Sequence, residues 1–306
     1  MAQVHRIGPG FDPALFEDAA CAFGVFDGVH RGHRAIIEGM VATARAEGAS
    51  AVVMTFDVDP DEAFAPGFRK LMANEARIEA LAASGADAVV VLPFTERLSR
   101  LDPQSFLERT FGNVRLGSMH VGRDFRFGHG ARGTVADLRM WADKAGTAVY
   151  AYELEEQGGQ PITSTRIRAA LAAGDVAEAA ALLGRPYSLA ATVTHGRGEG
   201  AGFGIRTANL QVPDELRAVG DGVYAGYALV GGQRYKAAIN VGVPCTFEGQ
   251  AKDNIEAHLL GFEGDLYGRP LVLDFVEWLR PQRAFASTEE LVATISGNIE
   301  WVRDNL

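Results

Sequence analysis

The chain has 306 residues, of which 47% are hydrophobic and 22% charged, a composition typical of a globular protein long enough for two domains. It carries 29 basic and 39 acidic side chains, which give a formal net charge of −10. This balance argues against a nucleic-acid partner, because no excess of Lys and Arg is available to neutralise phosphates.

The cysteine content and the hydropathy pattern indicate a cytoplasmic protein. Cys21 and Cys245 lie far apart and form no Cys-x-x-Cys pair, which favours a reducing compartment. The N-terminal residues lack a signal-peptide pattern, and no apolar run reaches the ~20 residues that span a bilayer. We therefore expect no membrane partner, and the sequence leaves the oligomeric state open.

The first candidate site is a turn at residues 24–33 with the sequence Gly-Val-Phe-Asp-Gly-Val-His-Arg-Gly-His. A short apolar strand at 20–23 precedes it, and apolar residues at helical spacing follow over 34–47. The N-terminus of such a helix favours an anion, and two imidazoles can donate hydrogen bonds to phosphate oxygens. We therefore predict phosphate binding by His30 and His33. A partial metal site is the weaker alternative, because no third ligand is grouped with them.

Strands and helices alternate through the first half of the chain, which is typical of a parallel sheet with helices on both faces. Ligands in such sheets bind at the carboxyl ends of the strands, where the turn at 24–33 would lie. We predict strands at residues 20–23, 51–56, 88–92, 118–121 and 147–150, and helices at 34–47, 76–83, 103–109 and 135–144.

Two more polar turns occupy comparable positions. Residues 122–128 combine glycines, an acid and two arginines, and residues 163–168 open another helix. The hydroxyls of Ser164 and Thr165 can bind phosphate, which Arg166 can neutralise. Plain N-capping of the helix is the alternative role of the two hydroxyls.

A further helix precedes the domain boundary. An Asp-x-x-Glu capping signature begins this helix at Asp175, and Gly184 ends it. The sequence Gly-Arg-Pro-Tyr then interrupts the helical periodicity. We place the boundary near Pro186, between a domain of residues 1–185 and a domain of residues 186–306.

The second half is predicted to form a small antiparallel β-barrel closed by a C-terminal helix, because short strands with turn residues between them replace the earlier alternation. A Ser-Thr-Glu-Glu capping box at 287–290 begins the helix. Strands are predicted at 188–194, 223–229, 235–241, 255–260 and 271–279.

Three features of this half can carry chemistry. The glycine-rich stretch 196–204 can wrap phosphates with its backbone amides, or it can be a plain flexible hairpin. Thr207 and Asn209 supply oxygen ligands suited to Mg²⁺. Glu256 shares one strand face with His258 and can accept a hydroxyl proton, with a solvent-facing glutamate as the alternative.

Together these stretches resemble the prokaryotic bifunctional riboflavin kinase/FMN adenylyltransferase family, often called FAD synthetase. The resemblance covers nearly the whole chain, and its motifs keep their order and spacing across both halves. The motifs that carry it are residues 26–33, 122–128, 164–168, 183–187, 207–210, 222–224, 256–260 and 265–268.

The resemblance implies two domains with one reaction each. The first would be a Rossmann-like nucleotidyltransferase that joins FMN to the AMP part of ATP and releases pyrophosphate, with His30, His33 and Arg166 at the reacting phosphates. The second would be a riboflavin kinase-like barrel that phosphorylates riboflavin to FMN, with Glu256 as the base.

The same resemblance implies the ligands. They are Mg²⁺, held with ATP by Thr207 and Asn209, ATP as co-substrate, and riboflavin, FMN and FAD as substrates or products. The implied nucleotide-binding residues are Gly24, Phe26, Asp27, Gly32, Asp124, Ser164, Thr165, Gly198, Gly200 and Gly202.

The chain departs from the family pattern at five positions. Val25 replaces an Asn and Asp59 replaces the His of a Pro-His-Pro-like sequence, both near the expected nucleotidyltransferase site. In the kinase half, Arg206 replaces a Pro, Cys245 replaces a Pro and Gly261 replaces an Asp. We expect a working kinase and an adenylyl transfer that is weakened or retuned.

Four functions fit the sequence. The first is the full two-step enzyme, the second an enzyme with one active domain, and the third a non-catalytic flavin- or nucleotide-binding regulator. The fourth is another small nucleotidyltransferase with an unrelated partner domain. The regulator is disfavoured because the proposed chemical groups are all kept, and the fourth because of the Thr-Ala-Asn and Glu-x-His-Leu-Leu motifs.

Overall fold

A computed structural model describes residues 1–8, 13–65, 67–112, 114–195, 205–242 and 254–306 of the chain. The chain divides into two compact units, Met1–Ser164 and Thr165–Leu306, and each unit has its own main sheet. Within these described ranges, no helix is both long and apolar enough to cross a membrane.

The first unit alternates strands and helices. Its strands are β1 (Gln3–Arg6), β2 (Ala20–Phe23), β3 (Ala51–Phe56), β4 (Ala88–Leu92), β5 (Ser118–Gly122), β6 (Ala148–Tyr152), β7 (Glu156–Gln157) and β8 (Gln160–Pro161), and its helices are α1 (Arg31–Glu47), α2 (Pro60–Phe64), α3 (Asn74–Ala82), α4 (Glu96–Ser99), α5 (Pro103–Phe111) and α6 (Val135–Ala145).

Six of these strands form one parallel sheet in the order β1-β4-β3-β2-β5-β6, which confirms the predicted parallel sheet. Alternate strand residues bury two separate apolar cores. One core contains Phe23 and Phe56, and the other contains Ile37 and Met40 of α1. Because the strands are parallel, their carboxyl ends meet at one edge of the sheet.

Helix α1 begins at Arg31, three residues earlier than predicted. The imidazole Nδ1 of His30 accepts a hydrogen bond from the backbone N–H of His33, so a histidine serves as the N-cap. The polar sequence Arg-Gly-His therefore forms the first turn, ahead of the apolar residues that reveal the helix. The helix ends as predicted at Gly48, whose φ of 67° is left-handed.

Some short elements that lack an apolar period were not predicted from the sequence, namely β1, α2 and the β7–β8 hairpin. β1 lies at the sheet edge and pairs only with β4 among the described strands. Helix α2 depends on a capping box, in which Asp59 accepts from the Glu62 backbone and Glu62 accepts from the Asp59 N–H.

The second unit contains a closed barrel and helices. Its strands are β9 (Tyr187–Thr194), β10 (Ala208–Gln211), β11 (Gly222–Val230), β12 (Gln233–Val241), β13 (Asn254–Leu259) and β14 (Pro270–Arg280), and its helices are α7 (Ser164–Ala172), α8 (Val176–Leu183) and α9 (Thr288–Asn305).

The barrel strands pair antiparallel in the order β10-β13-β12-β11-β14-β9, which confirms the predicted antiparallel barrel, although β10 was not among the predicted strands. The four residues of β10 were too few and too polar to be recognised. Ser287 caps α9 by accepting from the Glu290 N–H, which confirms the terminal helix. Helix α8 packs on β9 and β14 and so belongs to the same compact unit as the barrel.

A buried histidine makes the first unit sensitive to acid. His120 lies fully buried on β5, with its ring nitrogens 3.1 Å from Ser118 Oγ and 2.8 Å from Tyr152 Oη. Burial disfavours the imidazolium and lowers the pKa of His120 from 6.5 to about 4. Between pH 6.5 and pH 4, His120 is therefore protonated in the unfolded chain but neutral in the folded unit. Stability is lost as pH falls from 6.5 towards 4.

We expect this histidine to cost about 2 kcal/mol of unfolding free energy between pH 7 and pH 5. Urea denaturation of the wild type and of His120→Gln at both pH values measures the difference. The variant has no titrating group at this position, so its urea midpoint should fall less. Equal losses in the two proteins would contradict the prediction.

Candidate active sites

The turn between β2 and α1 lies at the carboxyl edge of the parallel sheet. Two of its residues other than glycine take left-handed backbone angles, Phe26 with φ of 59° and Val29 with φ of 40°. Such angles cost roughly 1–3 kcal/mol each and persist where the surrounding structure enforces them. The strain marks this turn as a candidate functional site.

The two predicted histidines stack on each other at the start of α1. Their ring centroids are 3.5 Å apart, and the planes are inclined by 19°. His30 is 4% exposed, and because its Nδ1 accepts from the His33 N–H, its neutral form carries the proton on Nε2. A Cβ at Gly32 would lie 3.3 Å from the His30 ring, so the absence of a side chain at Gly32 relieves crowding against the pair.

His33 is held in its neutral form. Desolvation, followed by the electrostatic effects of His30 and Arg77, lowers its pKa well below 6.5. Its Nδ1 is buried without a hydrogen-bond partner among the described residues. A neutral imidazole can donate one hydrogen bond to a phosphate oxygen, so His33 would act as a dipolar donor rather than as a cation.

Asp27 and Ser164 tie the turn to neighbouring segments. The buried carboxylate of Asp27 accepts from the Leu71 N–H at 2.9 and 3.2 Å, and its backbone carbonyl accepts from Ser164 Oγ at 2.9 Å. Asp27 and Ser164 therefore support the turn in this structure, and direct nucleotide contacts by them stay predictions. Gly24 lies under the Phe26 ring, which a Cβ would approach to 3.1 Å.

Asp124 lies at the same edge, just after β5. Its side chain is exposed and folds back over Gly122, where a Cβ would come within 2.7 Å of the carboxylate. The sheet therefore brings residues 24–33 and Asp124 to one edge, as the sequence predicted, because both follow the carboxyl ends of neighbouring strands β2 and β5.

A row of aromatic rings, which sequence analysis missed, runs along this edge. Phe23 and Phe56, the last residues of β2 and β3, have centroids 5.5 Å apart. Phe94 contacts Phe56 at 5.4 Å, and Phe64 contacts Phe94 at 5.9 Å, both edge-to-face. Phe64 is 64% exposed, so the row ends in an aromatic side chain open to solvent. The phenylalanines follow different elements, and only the fold brings them together.

The two departures in this half have structural roles. Asp59 is 4% exposed and caps α2, and its charge acts on the buried guanidinium of Arg77. Val25 packs against the core that contains Phe23, while its carbonyl accepts from Thr55 Oγ1 at 3.1 Å. Both side chains therefore make specific contacts with the interior of the first unit.

Thr165 and Arg166 open the second unit, in the first turn of α7. Arg166 makes a partly buried ion pair with Glu178, the third residue of α8. Of the two bonds in the predicted capping signature, the structure shows the one in which Asp175 accepts from the Glu178 N–H. The Glu178 carboxylate binds Arg166 instead. An incoming phosphate would compete with Glu178 for this guanidinium.

In the barrel, three polar residues of adjacent strands stand in one row. Glu256 on β13 is directly opposite Asn209 on β10 and Asn240 on β12. Directly opposed residues point to the same face, with Cβ atoms about 4.5–5.5 Å apart. Since Ile255 and Ala257 are buried in the barrel, this row lies on the outer face and places the predicted base beside a predicted metal ligand.

Asn240 was not recognised from the sequence, because only the register reveals it. Its amide Oδ1 accepts a hydrogen bond from Gln282 Nε2 at 2.8 Å. Gln282 Nε2 also donates to the Val241 carbonyl at 2.9 Å. Gln282 therefore holds Asn240 in place next to Glu256. The signal available in the sequence was the Ile-Asn-Val alternation, which puts one polar residue on the outer face of a strand.

The segment before β10 accommodates Arg206 in place of the family's proline. His258 Nδ1 lies 2.8 Å from the Arg206 carbonyl, a group that a proline would also supply. Thr207 follows directly, partly buried. Gly261 has φ of 75° in the turn after β13, a conformation that glycine adopts more readily than the family's Asp. The predicted sites at Gly198, Gly200 and Gly202, and the departure at Cys245, lie outside the described residues.

Two family models match the chain. FAD synthetase matches residues 12–166, and riboflavin kinase matches residues 183–306. A bifunctional riboflavin kinase/FMN adenylyltransferase of Pseudomonas fluorescens is 37% identical over 92% of this chain and 90% of its own length. A protein of the same name from Escherichia coli K12 is 34% identical over 92% of this chain and 90% of its own length.

A solved structure has the same fold. A crystal structure described as a macrolide-efflux protein from Streptococcus pneumoniae covers 98% of this chain and 99% of its own length, with a TM-score of 0.85 and 28% sequence identity. The likeness extends over both compact units.

Proposed function

The chain belongs to the bifunctional riboflavin kinase/FMN adenylyltransferase family, and we propose that it makes FAD from riboflavin in two ATP-dependent steps, one in each half. We assign adenylyl transfer to residues 1–185 and riboflavin phosphorylation to residues 186–306. The small-molecule substrates are riboflavin, FMN and ATP, and we place the protein in the cytoplasm.

In the first half, a phosphate oxygen of FMN attacks the α-phosphorus of ATP. The new P–O bond forms as the bond to the β-phosphate oxygen breaks, and pyrophosphate leaves. The N-terminus of α1 favours negative charge, His30 and His33 supply imidazole donors, and Arg166 supplies positive charge. The pair of stacked imidazoles at a helix N-terminus is the observation that carries this assignment.

In the second half, the ribityl hydroxyl oxygen of riboflavin attacks the γ-phosphorus of ATP, and ADP leaves. The carboxylate of Glu256 takes the hydroxyl proton. The register that sets Glu256 opposite Asn209 carries this assignment, because a base and a nucleotide ligand must act on the same reacting atoms. We propose that the loop 196–204, with Gly198, Gly200 and Gly202, covers the phosphates.

Mg²⁺ fits the oxygen donors of this half. The Thr207 hydroxyl and the Asn209 amide oxygen are the hard ligands that Mg²⁺ prefers, and these two residues would hold the ion together with ATP. When bound, the ion would offset the negative charge of the transferred phosphoryl group. We assign the ion to these two neutral oxygens.

A chromatographic product assay tests the proposal. Purified protein is incubated with Mg²⁺ and ATP, once with riboflavin and once with FMN. We expect FAD in both tubes, with FMN appearing transiently from riboflavin. FMN formed from riboflavin, with no FAD in either tube, would show that the protein lacks FMN adenylylation. No product from a folded protein that binds flavin would overturn the enzyme and favour the flavin-binding regulator.

The aromatic row predicts where the flavin ring lies in the first half. An isoalloxazine ring stacked on Phe64 would gain about the energy of an aromatic pair, so Phe64→Ala should raise the KM for FMN roughly three- to tenfold. The KM for riboflavin in the kinase reaction should not change. Met140→Ala, which shortens another exposed apolar side chain of the first unit, is the control. An unchanged KM for FMN in Phe64→Ala would remove Phe64 from the flavin site.

A further inference from the structure

Helix α3 sends an arginine into the interior of the first unit. Arg77 is only 1% exposed and is one of the largest fully buried side chains described. It sits on the apolar face of α3 beside Ile78 and Leu81. A buried cation is costly unless it is paired and hydrogen-bonded, so its retention on such a face calls for a specific role.

Its guanidinium holds the carboxyl edge of the sheet together. Nη1 donates to the Val25 carbonyl at 2.6 Å and to Thr55 Oγ1 at 2.5 Å, and Nη2 donates to the Phe56 carbonyl at 3.0 Å. Thr55 Oγ1 in turn donates to the Val25 carbonyl. Arg77 thus bridges the ends of neighbouring strands β2 and β3. Val25 directly precedes Phe26, where the left-handed part of the turn begins.

Nearby acids offset part of the cost of burying this charge. Desolvation lowers the pKa of Arg77, and the negative charges of Asp59, Asp27, Glu62 and Asp57 act in the opposite direction. At position 59 the chain has an acid where the family pattern has a histidine. Asp59 therefore supplies a counter-charge to Arg77 that a neutral imidazole would not supply.

The same guanidinium acts on the histidine pair. Desolvation is the main cause of the low pKa of His33, and His30 and Arg77 lower this pKa further. Arg77 therefore fixes the Val25 carbonyl at the start of the turn and adds to the desolvation that keeps the His33 imidazole neutral.

We propose that Arg77 is a positioning residue for adenylyl transfer, which holds the β2–α1 turn so that its two imidazoles face the reacting phosphates. Arg77 acts through Val25, Thr55 and Phe56 and need not touch the substrate. This inference rests on the proposed function of the first half.

Two variants separate the geometric role from the charge. Arg77→Met removes both the fork and the charge, and misplacing the turn by about 1 Å should lower kcat for FMN adenylylation roughly 100-fold with little change in KM. Arg77→Lys keeps the charge but cannot span both carbonyls as a planar fork, so we expect it to recover roughly tenfold of that loss. Riboflavin phosphorylation by the same samples should stay unchanged, which shows that the loss is confined to the first half.

NMR titration of the imidazoles gives a readout that does not depend on turnover. The pKa of His33 should rise in Arg77→Met and stay low in Arg77→Lys. Arg45→Met is the matched control, because Arg45 is an exposed arginine of the same unit paired with Asp87 at 2.8 Å. It should alter neither kcat nor the His33 titration.

The outcomes are distinct. An Arg77→Met enzyme with wild-type kcat would overturn the positioning role of Arg77, and a His33 pKa that does not move would overturn its electrostatic effect on His33. A loss of kcat that Arg45→Met reproduces would overturn the positioning role too. If Arg77→Met does not fold, Arg77→Lys decides, since wild-type adenylylation by that variant would refute the fork. A wild-type protein that makes no FAD from FMN would instead overturn the proposed function.

Discussion

Glu256→Gln is expected to lower riboflavin phosphorylation roughly 10²- to 10⁴-fold, the usual contribution of a general base, while FMN adenylylation keeps its wild-type rate. Glutamine preserves the size of the side chain but cannot accept the hydroxyl proton. Because Glu256 stands between Asn209 and Asn240 on one barrel face, the fold of the second unit should survive the change. The loss should appear in kcat rather than in the KM for riboflavin.

A second glutamate of the same barrel provides the control. Glu277 on β14 is exposed and lies opposite Ala225 on β11, away from the row of Glu256 in the register. Glu277→Gln should phosphorylate riboflavin at the wild-type rate. A Glu256→Gln enzyme that retains more than a tenth of the wild-type kcat would show that another group takes the proton.

His33→Asn is expected to impair the reaction that Glu256→Gln spares and to spare the one that Glu256→Gln impairs. It should lower FMN adenylylation roughly 10²- to 10³-fold, the cost of removing one preorganised donor to developing charge, and leave the kinase unchanged. His33 also stacks on His30 and contacts Phe26 edge-to-face at 5.3 Å, so the variant loosens the pair as well as removing a donor.

A charge change on the same helix is the comparison. Glu38→Gln alters an exposed side chain of α1 and should leave both reactions at wild-type rates. Kinase activity in the His33→Asn sample shows that the second unit has folded and that the loss is confined to the first half. Wild-type production of FAD from FMN by His33→Asn would remove the histidine pair from the reaction.

The architecture followed from sequence where periodicity was strong. Buried apolar runs such as residues 51–56 and 88–92 predicted the parallel strands, and the turn at 24–33 followed from its place between a strand and a helix. Short elements with no period, such as α2 and β10, were missed. They depend on a capping box and on pairing with strands distant in sequence, and neither leaves an apolar pattern.

The candidate sites were only partly predictable for a related reason. His30, His33 and Glu256 stand in local motifs, whereas their supports come from elsewhere in the chain. Arg77 lies 52 residues from the carbonyl it holds, and Asn240 reaches Glu256 only through strand register. One local sign of Arg77 was available, a charged residue on the apolar face of α3.

The measurement that tests the two-site account most directly mixes two defective enzymes. Glu256→Gln and His33→Asn are each incubated with riboflavin, ATP and Mg²⁺, alone and together. We expect neither variant alone to make FAD at the wild-type rate, and His33→Asn alone to accumulate FMN. The mixture should make FAD, since FMN released by one protein is adenylylated by the other. FAD formed from riboflavin at the wild-type rate by either variant alone would contradict the assignment of one reaction to each half.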